Sequence, residues 1–193
     1  CGDLLKKLGT NFSIPGLLFI DTPGHAAFTN LRKRGGNLAD IAIVVVDIKE
    51  GFMPQTEETI DILIKYKTPF IIAANKIDLI NGWKVNPGSV LADLASQNQD
   101  VINSFETKIY EIINKLYEKF KLESERFDRV TDFTKQVAIV PTCAKTGEGI
   151  PELLMMITGL AQKFLEETLK INEEGYAKGT VLEVKETKGL GTT

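Results

Sequence analysis

A doubly wound, mostly parallel α/β sheet is the fold this sequence predicts, and three features predict it. Four short, β-branched-rich runs at 16–21, 41–47, 69–74 and 137–142 are apolar almost throughout instead of alternating. That is the pattern of strands buried on both faces of a parallel sheet. Amphipathic helical patterns lie between the runs, and polar residues collect just past their ends, where open α/β sheets hold ligands.

The first run, Gly-Leu-Leu-Phe-Ile-Asp, leads into Thr22, Pro23, Gly24 and His25, the single histidine of 193 residues. An acid, a flexible glycine and an imidazole after an apolar strand either cap a helix or handle a phosphate. After the second run, Thr59, Ile60, Leu63 and Ile64 share one face of a helix over 55–66. A longer helix over 101–122 places Ile102, Phe105, Ile109, Ile112, Ile113, Leu116 and Phe120 at three-and-four spacing, and its tyrosines and phenylalanines read as core. Residues 81–99, rich in Gly, Pro, Asn and Ser around Trp83, read as an irregular insertion. A helix over 150–169 follows the fourth run. The stretch 171–178, with Asn172-Glu173-Glu174-Gly175, reads as a linker, and 179–193 as the first strand of a further unit.

Bulk properties narrow the class. Hydrophobic residues make up 43% and charged residues 25%, ordinary for a soluble globular protein. A net charge of −3 and a pI near 5.4 give no global basic field, so contact with nucleic acid requires a local patch. Cys1 and Cys143 are too few for a disulfide framework and suit a reducing cytoplasm. No apolar run approaches the ~20 residues of a membrane span, so no membrane partner is expected. Both ends of the chain, Cys1 in place of Met and a C-terminus that stops within a pattern, read as cuts.

The rim residues have complementary chemistry. Asn75 and Asp78 sit three apart after the third run, and a carboxylate can accept two parallel N–H bonds. Guanine presents that pair at its ring N–H and exocyclic amine, whereas adenine would leave the Asp78 acceptors unpaired. Lys76 and Lys145 have aliphatic stems long enough to lie on the two faces of a flat ring. The Ala144 N–H can meet a carbonyl oxygen, and Gly24 lets its N–H approach a terminal phosphate closely. Asp21 can hold Mg²⁺ through water.

Asp21-Thr22-Pro23-Gly24, Asn75-Lys76-Ile77-Asp78 and Cys143-Ala144-Lys145 resemble, in order, the third, fourth and fifth nucleotide motifs of P-loop GTPases. His25 after the glycine resembles the water-positioning histidine of the translational GTPases. The stretches 14–56, 68–83 and 179–193 narrow the resemblance to the archaeal and eukaryotic initiation factor 5B family, relatives of bacterial initiation factor 2. The resemblance is close over about 16–83 and 137–193 and loose over 84–136.

That resemblance implies a P-loop GTPase-type sheet over 1–170 and the start of a β-barrel domain over 179–193. It implies GTP and GDP with Mg²⁺ as ligands, and GTP hydrolysis stimulated by the ribosome. The partners would be both ribosomal subunits, with initiator tRNA held by further domains. Arg32-Lys33-Arg34-Gly35-Gly36 is then either a solvated helix end or a basic switch segment facing RNA. An elongation factor and a binding-only piece are the competing expectations.

Two features depart from the family pattern. The sequence contains no Gly-x-x-x-x-Gly-Lys-[Ser/Thr] and no threonine-bearing first switch before Asp21. The sheet is therefore expected to be N-terminally incomplete, and the chain alone inactive. Cys143 stands where the family usually has serine, so support of its loop by a hydroxyl is expected to be lost.

Overall fold

The structure, a computed structural model, describes residues 16–21, 39–85, 89–165, 186–187 and 191–192. Four parallel strands form the main sheet: β1 (Ala42–Asp47), β2 (Phe70–Asn75), β3 (Glu123–Arg126) and β4 (Gln136–Pro141), in the order β1-β2-β4-β3. Between them run α1 (Pro54–Lys65), the short α2 (Val90–Ser96) and α3 (Gln99–Phe120), and α4 (Ile150–Leu165) follows β4. Three of the four expected strands and all three expected helices are present. Pro54 starts α1, where its fixed φ and missing N–H cost nothing. Lys121 ends α3 in a left-handed conformation (φ 57°), with its N–H and that of Leu122 returned to the carbonyls of Tyr117 and Leu116.

One apolar cluster fills the domain. It runs from Val44 and Val46 through Ile71, Ile72 and Ile139 to Phe105, Ile109 and Leu116 of α3 and Leu153, Ile157 and Leu160 of α4. β2, paired on both sides, is buried from Phe70 to Ala74, as expected of a central parallel strand. β1 departs from that expectation. Ala42, Val44 and Val46 are buried on one face while Val45, on the other, is 60% exposed.

The first apolar run departs further. Gly16–Asp21 forms no strand; Leu17 touches the core, but Leu18 is 86% and Phe19 54% exposed. No described strand pairs with it, and apolar composition alone does not satisfy backbone N–H and C=O groups. Tyr110 and Tyr117 are exposed on the outer face of α3, so only Phe105 and Phe120 of its aromatic residues join the core.

Two elements escaped the sequence reading. β3 reads Glu-Ser-Glu-Arg and carries no apolar signal. Its edge position is secured by ions: Arg126, nearly buried, bonds Asp128 at 2.6 and 2.8 Å and Glu106 of α3 at 2.5 Å, and Arg129 joins Glu106 at 2.7 Å. α2 lies inside the expected irregular insertion. Its first N–H, from Val90, is accepted at 3.0 Å by Glu152 Oε1 of α4, a carboxylate cap supplied from 62 residues away.

Within 179–193, Glu186–Thr187 (β5) pairs antiparallel with Gly191–Thr192 (β6), so the expected single strand turns back on itself there. The expected linker at 171–178 and strand at 179–185 lie outside the described residues.

Candidate functional site

Parallel pairing puts the carboxyl ends of β1, β2 and β4 on one rim, with Asp47 opposite Asn75 and Ala74 opposite Pro141. The ladder continues past the strand ends. Ile48 N–H donates to Asn75 O at 2.9 Å, Thr142 N–H to Ala74 O at 2.8 Å, and Ile77 N–H to Thr142 O at 3.3 Å.

Lys76 turns the chain at the end of β2 with φ 67° and ψ 39°, a left-handed conformation rare for a non-glycine residue. A 3₁₀ turn over Ile77–Leu79 follows and brings Asp78 back toward the loop after β4. There the sequence-predicted residues meet. Asn75 Oδ1 accepts the Ala144 N–H at 3.0 Å, and the Cys143 thiol donates to Asp78 Oδ1 at 3.1 Å. Cys143 is buried and Ala144 exposed. The loop itself closes through Cys143 N–H to Glu148 O and Gly147 N–H to Cys143 O, both 2.8 Å.

Two expectations change here. In place of the hydroxyl support expected to be lost at Cys143 stands a thiol donor aimed at the Asp78 carboxylate. The Ala144 N–H, expected to face a ligand carbonyl, is held by Asn75.

Lys76 does a second task that sequence reasoning missed. Its Nζ reaches across to Asp47 Oδ2 at 2.7 Å, tying the end of β2 to the end of β1. Burial opposes ionisation of Asp47, but the Lys76 ammonium and the N–H groups of Lys49 and Glu50 outweigh it and hold the carboxyl below its ordinary range. Asp47 pushes the Lys76 value up in return. The signal for Asp47 was present: it ends an apolar run on the same rim as Asn75.

Lys145 is exposed and has no ion-pair partner among the described residues. Asp21 is exposed at the end of its unpaired run, and no described contact joins it to the Asn75–Cys143 constellation. Thr22, Pro23, Gly24 and His25 lie outside the described residues, as do 32–36. No group of three His, Cys, Asp or Glu side chains among the described residues has the arrangement to hold a metal by itself. No helix among them is long and apolar enough to cross a membrane.

A family model described as the elongation factor Tu GTP binding domain matches residues 7–163. The chain belongs to that family. Within it, the similarity is to initiation factors of archaea. A probable translation initiation factor IF-2 of Methanocaldococcus jannaschii is 60% identical over 195 residues, covering 100% of this chain and 17% of that protein. Its counterpart in Methanopyrus kandleri is 59% identical over 194 residues, covering 100% of this chain and 32% of the relative. The crystal structure of GDP-bound aIF5B from Aeropyrum pernix matches with a TM-score of 0.86 at 49% identity, over 98% of this chain and 32% of that one. This GTP-binding domain thus spans less than a third of the length of these relatives, and its α/β sheet is that of the translational GTPases.

Proposed function

We propose that the domain binds and hydrolyses GTP as the nucleotide-driven part of a cytoplasmic translation initiation factor, acting on the ribosome as its two subunits join over initiator tRNA. The observation that supports this reading best is the side-chain lacing of Asn75 and Asp78 to Cys143 and Ala144 on one sheet rim. Two separate sequence segments place an amide, a carboxylate and a backbone N–H around one edge, and each carries a lysine, Lys76 and Lys145.

In this reading Asp78 accepts guanine's ring N–H and exocyclic amine, the Cys143 thiol holding one of its oxygens in place. The Ala144 N–H passes from Asn75 Oδ1 to the base carbonyl, and the freed Asn75 amide turns to the ring edge. Lys76 and Lys145 cover the two faces of the ring. Thr22 and Pro23 would lie beside the terminal phosphate, which the Gly24 N–H would approach. His25 orients the attacking water and takes part only as charge develops in the transition state.

A lone exposed carboxylate suits Mg²⁺ in its usual nucleotide-bound form, which keeps several waters and leans on phosphate oxygens. Asp21 fits that role through water. The metal would offset the charge on the phosphates. Without a Gly-x-x-x-x-Gly-Lys-[Ser/Thr] loop, the 193-residue chain by itself is expected to bind weakly and to be inactive in hydrolysis. The β5–β6 hairpin would open a β-barrel domain, and the residues that contact tRNA would lie in further domains.

Base choice tests the reading. In the full-length protein, Asp78→Asn should invert preference from GTP toward xanthosine triphosphate, whose 2-oxo group needs a donor. A shift of at least tenfold in the ratio of competition-binding constants is expected. A ratio equal to wild type would remove Asp78 from the base site and the reading with it.

A further inference from the structure

Behind the Cys143–Lys145 loop lies a buried carboxylate that the reading above does not use. Glu148 is 1% exposed and has no cation beside it among the described residues. Its Oε1 accepts the Trp83 indole N–H at 3.0 Å and its Oε2 the Thr146 hydroxyl at 2.5 Å, while its main-chain oxygen accepts the Cys143 N–H at 2.8 Å. One residue therefore grips the loop at two points, Cys143 and Thr146, that flank Ala144 and Lys145. It grips the segment around Trp83 at a third.

The neighbours leave little slack. Gly149, at φ 73°, presses so closely on the end of β4 that a Cβ there would lie 1.9 Å from Pro141 O, which fixes where the loop returns. Trp83 packs against Phe105 of α3 with ring centroids 5.8 Å apart, so the indole donor is anchored in the core. On its remaining side Glu148 faces Asp93 of α2, 1% exposed, and Glu152 of α4. Asp93 Oδ2 and Glu152 Oε2 find no donor among the described residues. Burial and the two glutamates push the Asp93 carboxyl up to about 6, so below that pH its own proton can serve as a donor toward Glu148. Three carboxyl groups with no cation among the described residues are costly to bury unless the geometry they enforce is useful.

We propose that Glu148 is a positioning residue for guanine recognition: held by Trp83, it sets the loop that presents Ala144 and Lys145, and so couples occupancy of the base site to the segment from Trp83 to α2. The inference rests on the guanine reading above and adds to it a residue that touches no nucleotide. Because the Ala144 N–H must leave Asn75 Oδ1 to meet the base, its loop must shift slightly on binding. That shift pulls on the Glu148–Trp83 bond.

The test uses full-length protein with GDP and xanthosine diphosphate, which share the 6-oxo group that Ala144 would meet and differ only where Asp78 would act. GDP should change the emission of Trp83, read as the difference between wild type and Trp83→Phe. Glu148→Ala should weaken both nucleotides by a common factor of about tenfold or more, leaving their ratio at the wild-type value and abolishing the Trp83 response even at saturation. Glu148→Gln, with one acceptor oxygen left, should fall between.

Affinity within threefold of wild type in Glu148→Ala, or a Trp83 response that survives there, would overturn the proposal. If Glu148→Ala does not fold, Trp83→Phe decides. It keeps the ring against Phe105 and removes only the indole donor, so GDP should be weakened threefold or more, and unchanged affinity would refute the coupling. Failure of the guanine reading looks different: wild type itself would show no preference for GDP over xanthosine diphosphate.

Discussion

Residues 16–21 and β2 carry nearly the same chemistry, Gly-Leu-Leu-Phe-Ile-Asp against Phe-Ile-Ile-Ala-Ala-Asn, and meet opposite fates. In β2 every residue up to Ala74 is buried, and its ladder partners on both sides hold the polar end, Asn75, in register with Asp47. In the first run Leu18 and Phe19 face solvent and Asp21 is presented by no sheet. Apolar composition says that a segment gains by burial. Only a neighbouring strand turns that gain into a position for the residue at its end. The polar ends differ correspondingly: the one after β2 is laced to a second loop by two side-chain hydrogen bonds, and the one after residue 20 is not.

The two ends are proposed to divide the work, base recognition after β2 and turnover after Asp21, and the largest expected effect separates them. In the full-length protein His25→Ala should lower ribosome-stimulated hydrolysis by roughly 10²–10⁴-fold, typical of a lost acid–base or water-positioning group. GTP affinity should change less than threefold. Single-turnover hydrolysis on saturating ribosomes, paired with equilibrium binding, reads both, and a rate within threefold of wild type would make His25 structural.

Next in size is the direct comparison of the two runs. Ile72→Ala, at a fully buried position in β2, should cost about 2–5 kcal/mol in denaturant unfolding through lost burial and a residual cavity. Leu18→Ala should cost less than ~0.5 kcal/mol, since the side chain is 86% exposed. Equal losses would mean that the first run is buried in solution and the contrast is false.

How much of this was legible follows from which signals are local. Three strands, three helices and the shared rim of Asn75, Asp78, Cys143 and Ala144 were legible because hydrophobic period and strand-end chemistry are written in consecutive residues. β3 was not, since Glu123 to Arg126 hold their edge by ion pairs to Glu106, about 20 residues back. α2 was missed because the group that caps it belongs to α4. Tyr110 and Tyr117 were misplaced because helical spacing identifies a stripe but not its width. Asp47 and Glu148 went unnoticed for a related reason: what marks them is a partner, Lys76 in one case and Trp83 in the other, that only the fold supplies.

The third effect is on pH dependence, at the buried side of the base loop. Burial and its carboxylate neighbours push Asp93 up to about 6 in the native state against 3.8 ordinarily, so between those values the folded form holds an extra proton. Its stabilising contribution is complete below about pH 4 and disappears as pH rises through about 6. Asp93→Asn, which keeps a donor toward Glu148, should therefore flatten the decline in stability from about pH 4 to about pH 7. The gain over wild type at pH 8 should be on the order of 1–3 kcal/mol. Parallel curves for the two proteins would show that no proton is taken up there.

The smallest effect concerns the thiol. Cys143→Ser exchanges an S–H donor for an O–H donor on Asp78, and hydroxyl donors are the stronger. GDP affinity should rise by about threefold or less in calorimetry, and a loss of tenfold would mean that the buried pocket is shaped for sulfur.

The backbone bonds that continue past the strand ends bear on how a nucleotide would leave. Ile48 leans on Asn75, Thr142 on Ala74 and Ile77 on Thr142, so the loops after β1, β2 and β4 are stitched to one another before any side chain is counted. Fraying one loop would break a bond that also belongs to its neighbour. Escape of a bound base by local unfolding would then require all three ends to loosen together, and the amide protons of Ile48, Ile77 and Thr142 should exchange with solvent at one common rate, slowed together when the site is filled.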